Sequence, residues 1–531
     1  MKPLRVTLAV LIPLAASVKP LVDVNNQYIG QPLPNGITQW LGIRYAAPPV
    51  GELRFAPPGD PTYDPEPKQA NKHGKICLKT GERANTTETS EDCLFLDVYA
   101  PTWAARESQL PVFVFIQGGG FNANANPNLN GSGLLEASNN SIVFVTFNYR
   151  AGPYGFLTDG QHVTANNGLR DQRKALHWVQ RHIAEFGGNP AHVVIGGASA
   201  GAASIALHLT AYGGRDDGLI HAAAAGSVSF GMMLTARESA YQYRNLLVRL
   251  DCAGHDPLAC LRSKSVAELQ KKNVNDPYPG ATNAPLFMWG PVIDGDLITK
   301  LPYEAFRDGQ FLKVPVIFGD DTNGGTVFTP VMTSTRSESN RWLINQFPNL
   351  GIEQLLRLNE LYPNSNETMC PEKGCWWRQL SDVYGEMRYM CPGLFLNSAL
   401  ARYGVEASYA YRWNVEDPEE MSVGIGVPHT VEVSALFGPE NVEGKSPASY
   451  YSNGTNAGAV QAIQGYWTRF IKTFNPNDQE SDILTQWETW SKRPWSRLLF
   501  DTGGATSMET SLEGLRERCE YLASIGIALH Q

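Results

Sequence analysis

Five short runs of apolar residues recur along the chain, at 112–116, 142–149, 193–197, 314–319 and 408–415. Runs without a polar face are predicted as strands buried on both sides. Helical patterns separate them. Leu169, Leu176, Val179 and Ile183 recur at helical spacing and stop at Phe186-Gly187-Gly188, which predicts an amphipathic helix ended by glycine. Strands alternating with helices predict an α/β fold, a mostly parallel sheet covered on both faces. In such sheets functional groups gather on loops beyond the carboxyl ends of the strands.

Two stretches break this rhythm, from about residue 230 to 289 and from about 330 to 403. The first contains Ser265-Val266-Ala267-Glu268, a capping box that opens a further helix. Both are read as excursions that wall a pocket over the strand ends. Trp376, Trp377 and the cluster from Met387 to Met390 are candidates to line it, although such side chains more often fill plain core.

The length of 531 residues suggests several domains, but no Pro/Gly/Ser-rich linker, charge block or internal repeat divides the chain. One large domain, 18–531, is therefore expected. It follows a basic start, Met1-Lys2-Pro3-Leu4-Arg5, and an apolar run from Val6 to Ala16 too short to span a bilayer. With small residues at Ala15 and Ser17, this predicts a secretory signal peptide over 1–17 and an extracellular protein. No later segment predicts a membrane helix, and the tail carries no anchor signal, so no stable membrane anchor is expected. A net charge of −9 argues against nucleic acid or an anionic membrane as partner.

Eight cysteines in an exported chain are expected to pair. Cys252 and Cys260 lie close together, Cys370 and Cys375 closer still, and Cys77 and Cys93 flank a polar loop. Cys391 is left with Cys519, a closure that the chain-entropy model values at about 4–5 kcal/mol. No cysteine or histidine spacing suits a metal, and neither metal nor cofactor is implied. Sequons at Asn85, Asn130, Asn139, Asn366 and Asn453 predict glycosylated surface loops.

The chemistry concentrates in three places. Gly197-Ala198-Ser199-Ala200-Gly201 follows a β-branched run and opens a small-residue helix. In such a turn, residues two before and two after the serine carry almost no side chain, and the hydroxyl stands exposed as a nucleophile. Pro111 to Ile116 runs into Gln117-Gly118-Gly119-Gly120, where bare amides can approach a substrate oxygen. His429 lies in a loop after the last clear strand, in better context than the helix-borne His177, His182 and His208.

With Gly42-Ile43-Arg44-Tyr45-Ala46-Ala47-Pro48-Pro49-Val50-Gly51-Glu52-Leu53-Arg54-Phe55, Glu91 to Asp97 and Asn148-Tyr149-Arg150, these pieces resemble the type-B carboxylesterase/lipase family. That family includes cholinesterases and secreted fungal lipases and carboxylesterases. The resemblance runs from about Asn25 to Cys519 and implies an α/β-hydrolase fold acting on small-molecule or lipid esters. It further implies Ser199 as nucleophile, His429 as base, and the amides of Gly119, Gly120 and Ala200 as oxyanion donors. Three of the disulfides, Cys77 with Cys93, Cys252 with Cys260 and Cys391 with Cys519, are supported by it. Ion pairs of Arg54 with Glu91 and Arg150 with Asp171 are also implied.

Three departures stand out. Ala198 replaces a common glutamate, which disfavours a choline-like cation, and Gln117 stands where relatives carry His or Tyr. The third touches mechanism: Phe318 to Phe328 matches the loop that bears the family's triad glutamate, and that position is Gly324. Asp321, three residues earlier, is a weak candidate to replace it, Asp320 a weaker one, and Glu432 is expected to brace the His429 loop. A serine ester hydrolase is the preferred reading. A catalytically impaired interaction protein on the same scaffold, or an acyltransferase using the same serine, are the alternatives.

Overall fold

The computed structural model describes residues 20–83, 87–364, 373–477 and 485–531. The expected signal peptide, the sequons at Asn85 and Asn366, and Cys370 lie outside the described residues.

Eleven strands among the described residues form one sheet. In chain order they are β1 (Gln31–Pro32), β2 (Ile37–Arg44), β3 (Phe95–Pro101), β4 (Leu110–Ile116) and β5 (Val143–Phe147). Then come β6 (Gly188–Ala198), β7 (Ala222–Gly226), β8 (Val316–Asp321), β9 (Ser408–Asn414), β10 (Ser496–Asp501) and β11 (Thr506–Thr510). Their spatial order is 11-10-9-8-7-6-4-5-3-2-1. Pairing is parallel from β5 through β4 and β6 to β10, and antiparallel at both flanks. The α/β-hydrolase architecture expected from the sequence is what the chain adopts, and the five apolar runs all fall on central parallel strands.

Both faces of the sheet are buried, for a reason visible in β4. Val112, Val114 and Ile116 point into one core, which also holds Leu169, Leu176 and Val179 of α1 (Asn167–His182). The same core takes Ala203 and Leu207 of α2 (Ala200–Gly214) and Leu396 and Leu400 of α3 (Cys391–Arg402). Phe113 and Phe115 point the other way, toward Ile463, Phe470 and Ile471 of α4 (Ala457–Thr473). With alternate side chains claimed by opposite helical layers, a one-residue slip would carry every apolar group to the wrong face.

Both excursions are helical. Ser265 Oγ accepts from the Glu268 amide at 3.3 Å while the Glu268 carboxylate takes the Ser265 amide at 2.9 Å, closing the expected capping box. Arg54 ties this excursion to the body: its guanidinium grips Glu91 through two 2.6 Å bonds and reaches the carbonyls of Arg262 and Lys264. Trp377, Met387 and Tyr389 of the second excursion are buried, the latter two in a third core with Leu343, Phe347 and Leu522. The Cys391–Cys519 disulfide fastens α3 to the C-terminal helix Glu513–Gly526. Cys77–Cys93 and Cys252–Cys260 are also bonded. No helix of the described residues is long and apolar enough to cross a membrane.

Candidate active site

β6 ends at Ala198 and α2 begins at Ala200, so Ser199 alone turns the chain, at φ 59° and ψ −122°. A non-glycine residue with positive φ is strained and persists only where its surroundings dictate it. Here they do. A Cβ at Gly201 would lie 1.9 Å from the Ile116 carbonyl oxygen, and one at Gly197 only 2.8 Å from the backbone of Gly201. The Ser199 amide donates to the Gly226 carbonyl at 3.1 Å, and the residue keeps partial exposure. Its neighbour Ala200 opens α2, where first-turn amides lack helical acceptors and the positive end of the dipole gathers.

The glycine run follows β4 and meets this elbow. A Cβ at Gly118 would sit 2.8 Å from the Ala198 carbonyl oxygen and 3.6 Å from Ser199 Oγ, so only glycine permits the approach. Gly119 and Gly120 both take positive φ, and among the described residues no acceptor engages their amides. Side chains hold the loop from behind. Gln117 Nε2 donates to the Phe147 carbonyl and to Asn148 Oδ1, and Asn122 Nδ2 donates to the carbonyls of Gly120 and Trp289. Gln117 thus acts as a brace for the turn.

His429 follows β9 on the same rim of the sheet. Its ring packs 4.1 Å from that of Tyr389 and 5.0 Å from that of Phe328. The residue is partly exposed, yet both ring nitrogens are buried and neither has a hydrogen-bond partner among the described residues. No hydrogen bond joins it to Ser199; such bonds are often long in a free enzyme and tighten when substrate arrives. Burial, and then the Arg388 guanidinium, push the imidazole down to about 3.

A short network links this loop to the elbow. Ser227 adjoins Gly226, which accepts the Ser199 amide, and Ser227 Oγ donates to Asp321 Oδ2 at 2.9 Å. The same oxygen accepts the amide of Thr430, next to His429, at 2.7 Å. These bonds fix the two loops relative to one another without touching the imidazole.

No hydrogen bond joins Asp321 to His429, so the expectation that it replaces the acid gains no support from this geometry. Asp321 is the last residue of β8, and its carboxyl is directed at Ser227 and Thr430. Its other neighbour is Glu432, whose Oε1 accepts from Tyr411. Burial raises both carboxyls, and the neighbouring Glu432 raises Asp321 further. Glu432 braces the loop as expected. Asp320 points to the opposite side, toward Arg497 at 3.3 Å, with burial lifting it to about 6. Because an asparagine has the same shape and keeps an oxygen that can accept from Ser227 and Thr430, Asp321→Asn should leave kcat/KM within about threefold of the parent. A loss of about a hundredfold or more, measured on a neutral ester with the fold intact, would put Asp321 back in the chemistry.

At Gly324, the position where the resemblance implies the acid, the space is open. A Cβ there would meet only ordinary contacts: Asp321 O at 3.7 Å, His429 Nδ1 at 3.9 Å and Tyr389 Cβ at 4.0 Å. Its φ is not in the left-handed region, so nothing in the backbone requires glycine.

Sequence reasoning named the cluster from Met387 to Met390 only as candidate pocket lining, and of these Arg388 lines the cavity; it did not place Tyr389 and Phe328 against the imidazole or Phe287 against Gly120. The signal for Arg388 was present, a lone cation inside Met387-Arg388-Tyr389-Met390.

The arrangement of elbow, bare amides and histidine suits acyl transfer through serine. Over 97% of its length the chain matches the crystal structure of Aspergillus niger EstA, at 38% identity, a TM-score of 0.92 and 99% coverage of that chain. Lipase 1 of Geotrichum candidum is 34% identical over 389 residues, 64% of this chain and 69% of that protein. Lipase 2 of the same organism is 33% identical over 404 residues, 66% of this chain and 71% of that protein. A sequence model of the carboxylesterase family matches residues 26–518, and the chain belongs to that family as a carboxylic ester hydrolase.

Proposed function

We propose that the protein is a secreted serine esterase in which Ser199 forms the acyl-enzyme, His429 is the base, and no carboxylate completes the triad. The observation that carries this reading is the strained Ser199 turn, with Gly118 packed against the Ala198 carbonyl too closely for any side chain. A binding protein has no physical need for that strain.

The steps follow from the groups at hand. Ser199 Oγ adds to the ester carbonyl while the imidazole takes its proton, and the amides of Gly119, Gly120 and Ala200 receive the charge gathering on the carbonyl oxygen. The alkoxide leaves with that proton. Water then attacks the acyl-enzyme by the same route and releases the acid. Gly324 offers nothing to hold the imidazole or balance its charge, and Arg388 opposes that charge. Turnover is therefore slow relative to a complete triad. The same absence favours the second reading, an interaction protein with weak residual catalysis, while an alcohol in place of water would make the site an acyltransferase. Export as one domain, 18–531, behind a cleaved leader is supported by the three disulfides among the described residues and by exposed sequons at Asn139 and Asn453.

The test is incubation of the folded, glycosylated protein with short-chain p-nitrophenyl esters and a fluorophosphonate probe. Measurable turnover and labelling at Ser199 are expected. Neither turnover nor labelling would overturn the esterase reading.

A further inference from the structure

A cavity of about 570 Å³, its mouth included, opens beside Gly120 and Ala203. Gly120 belongs to the glycine run, and the Ala203 amide bonds back to the Ser199 carbonyl, so the cavity adjoins the nucleophile. Its walls are largely apolar, with Phe121, Phe230, Phe287 and Trp289 among them, and among the described residues Arg388 is the only charged side chain that lines it.

Among the described residues Arg388 lacks the carboxylate that the other deeply buried arginines of the site's surroundings hold. It is only 7% exposed, and no carboxylate faces it among the described residues. Arg54 and Arg150, also deeply buried, each grip a carboxylate through two bonds. Arg388 instead donates Nε to Ser229 Oγ at 3.1 Å, and its guanidinium lies 5.2 Å from the Phe287 ring and 5.8 Å from those of Tyr384 and Tyr389. Aromatic faces ease a buried cation without neutralising it. The backbone makes room for it as well: a Cβ at Gly231 would stand 2.9 Å from Arg388 Nη2. Phe287, stacked near the cation, fills the space where Gly120 would carry a Cβ, so one ring touches both the cavity's charge and the oxyanion loop. The residue sits in a π-helical turn, Glu386–Met390, a distortion of the helix that re-aims side chains and recurs at functional sites.

We infer that Arg388 is a specificity residue that binds a carboxylate on the substrate, so that the preferred esters carry a free acid on one limb. A guanidinium that meets tyrosines and a serine but no carboxylate gains most from a planar anion that its Nη groups can hold in a fork. This rests on the esterase reading for its kinetic consequence, though not for its binding one.

Three esters test it: p-nitrophenyl butyrate, the mono-p-nitrophenyl ester of glutaric acid, with its charge on the acyl limb, and the butyrate ester of 4-hydroxybenzoic acid, with its charge on the alcohol limb. The parent should favour one charged ester over the neutral one in kcat/KM, and Arg388→Gln should lower that ratio by about tenfold or more, with Arg388→Lys between them. The limb whose charge is favoured names the side of the ester that enters the cavity. Titration of glutarate by calorimetry gives an independent readout, with binding expected in the parent and lost in Arg388→Gln. Equal ratios in parent and variants, or no glutarate binding by a folded parent, would overturn the inference. Glutarate binding without turnover of any ester would leave it standing while removing the esterase reading.

Discussion

Replacing Gly324 with glutamate is expected to raise kcat on a neutral ester by about 10²- to 10⁴-fold, the range that an orienting carboxylate contributes in serine hydrolases. The site is built to accept it. A Cβ at 324 lies 3.9 Å from His429 Nδ1, clashes with nothing, and requires no change of backbone. Two deficits are repaired together. The imidazole, whose nitrogens now have no partner among the described residues, gains a fixed orientation, and its charged form gains a counter-ion. Basicity rises with it: an imidazole held near 3 is a feeble base at neutral pH, and catalysis improves as the pKa approaches the working pH.

The change has a cost in acid that can be read from a pH profile. Only the neutral imidazole can accept the serine proton. In the parent it stays neutral down to about 3, so the acid limb of kcat/KM lies far below the ordinary histidine value. A carboxylate at 324 favours the imidazolium, and the limb moves up toward neutrality. The variant should thus be faster at neutral pH and lose activity at an acidity the parent tolerates. Gly324→Asp provides a second chance at a folded protein with the shorter arm. If both variants fold and neither changes rate or profile, the imidazole already has an orienting partner in solution.

Ser199→Ala is expected to cost about 10²-fold in the parent but about 10⁴- to 10⁶-fold in the Gly324→Glu background, because triad members act as a unit. With the acid absent, most of the advantage of serine is already gone, and what remains comes from the oxyanion amides and binding. The four proteins form a double-mutant cycle whose coupling measures how much of the triad Gly324 removes. Equal costs in the two backgrounds would mean that positions 199 and 324 do not share one mechanism.

Much of the fold was legible in the chain because its strands are buried on both faces. Val112 to Ile116 and Val193 to Gly197 have no polar side to present to water, so a covered parallel sheet is their one stable setting. The elbow was legible for a steric reason: Gly197 and Gly201 are small because the Ile116 carbonyl and the turn itself leave no space. The antiparallel flanks were not read in advance. Thr506 to Thr510 and Gln31 to Pro32 are short and hold no fully buried residue, and pairing at an edge leaves little mark on composition.

The site was only partly visible, because sequence separates what packing unites. The segments around 199, 321 and 429 announced themselves one at a time, but which carboxylate faces the imidazole depends on the direction of side chains at the end of β8. Asp321 turns to Ser227 and Thr430, Asp320 turns to Arg497, and neither choice is encoded by their spacing from Gly324.

What the sequence by itself determined was the sheet, the serine turn, the glycine loop and the lack of a side chain at 324, since each rests on a local demand for burial, small size or a missing side chain. The tertiary structure alone decided that, among the described residues, the imidazole has no partner and that an arginine with no carboxylate beside it lines the cavity next to the nucleophile. Both depend on which groups from distant segments come to face one another, and a charge reveals its purpose only when its neighbours are known.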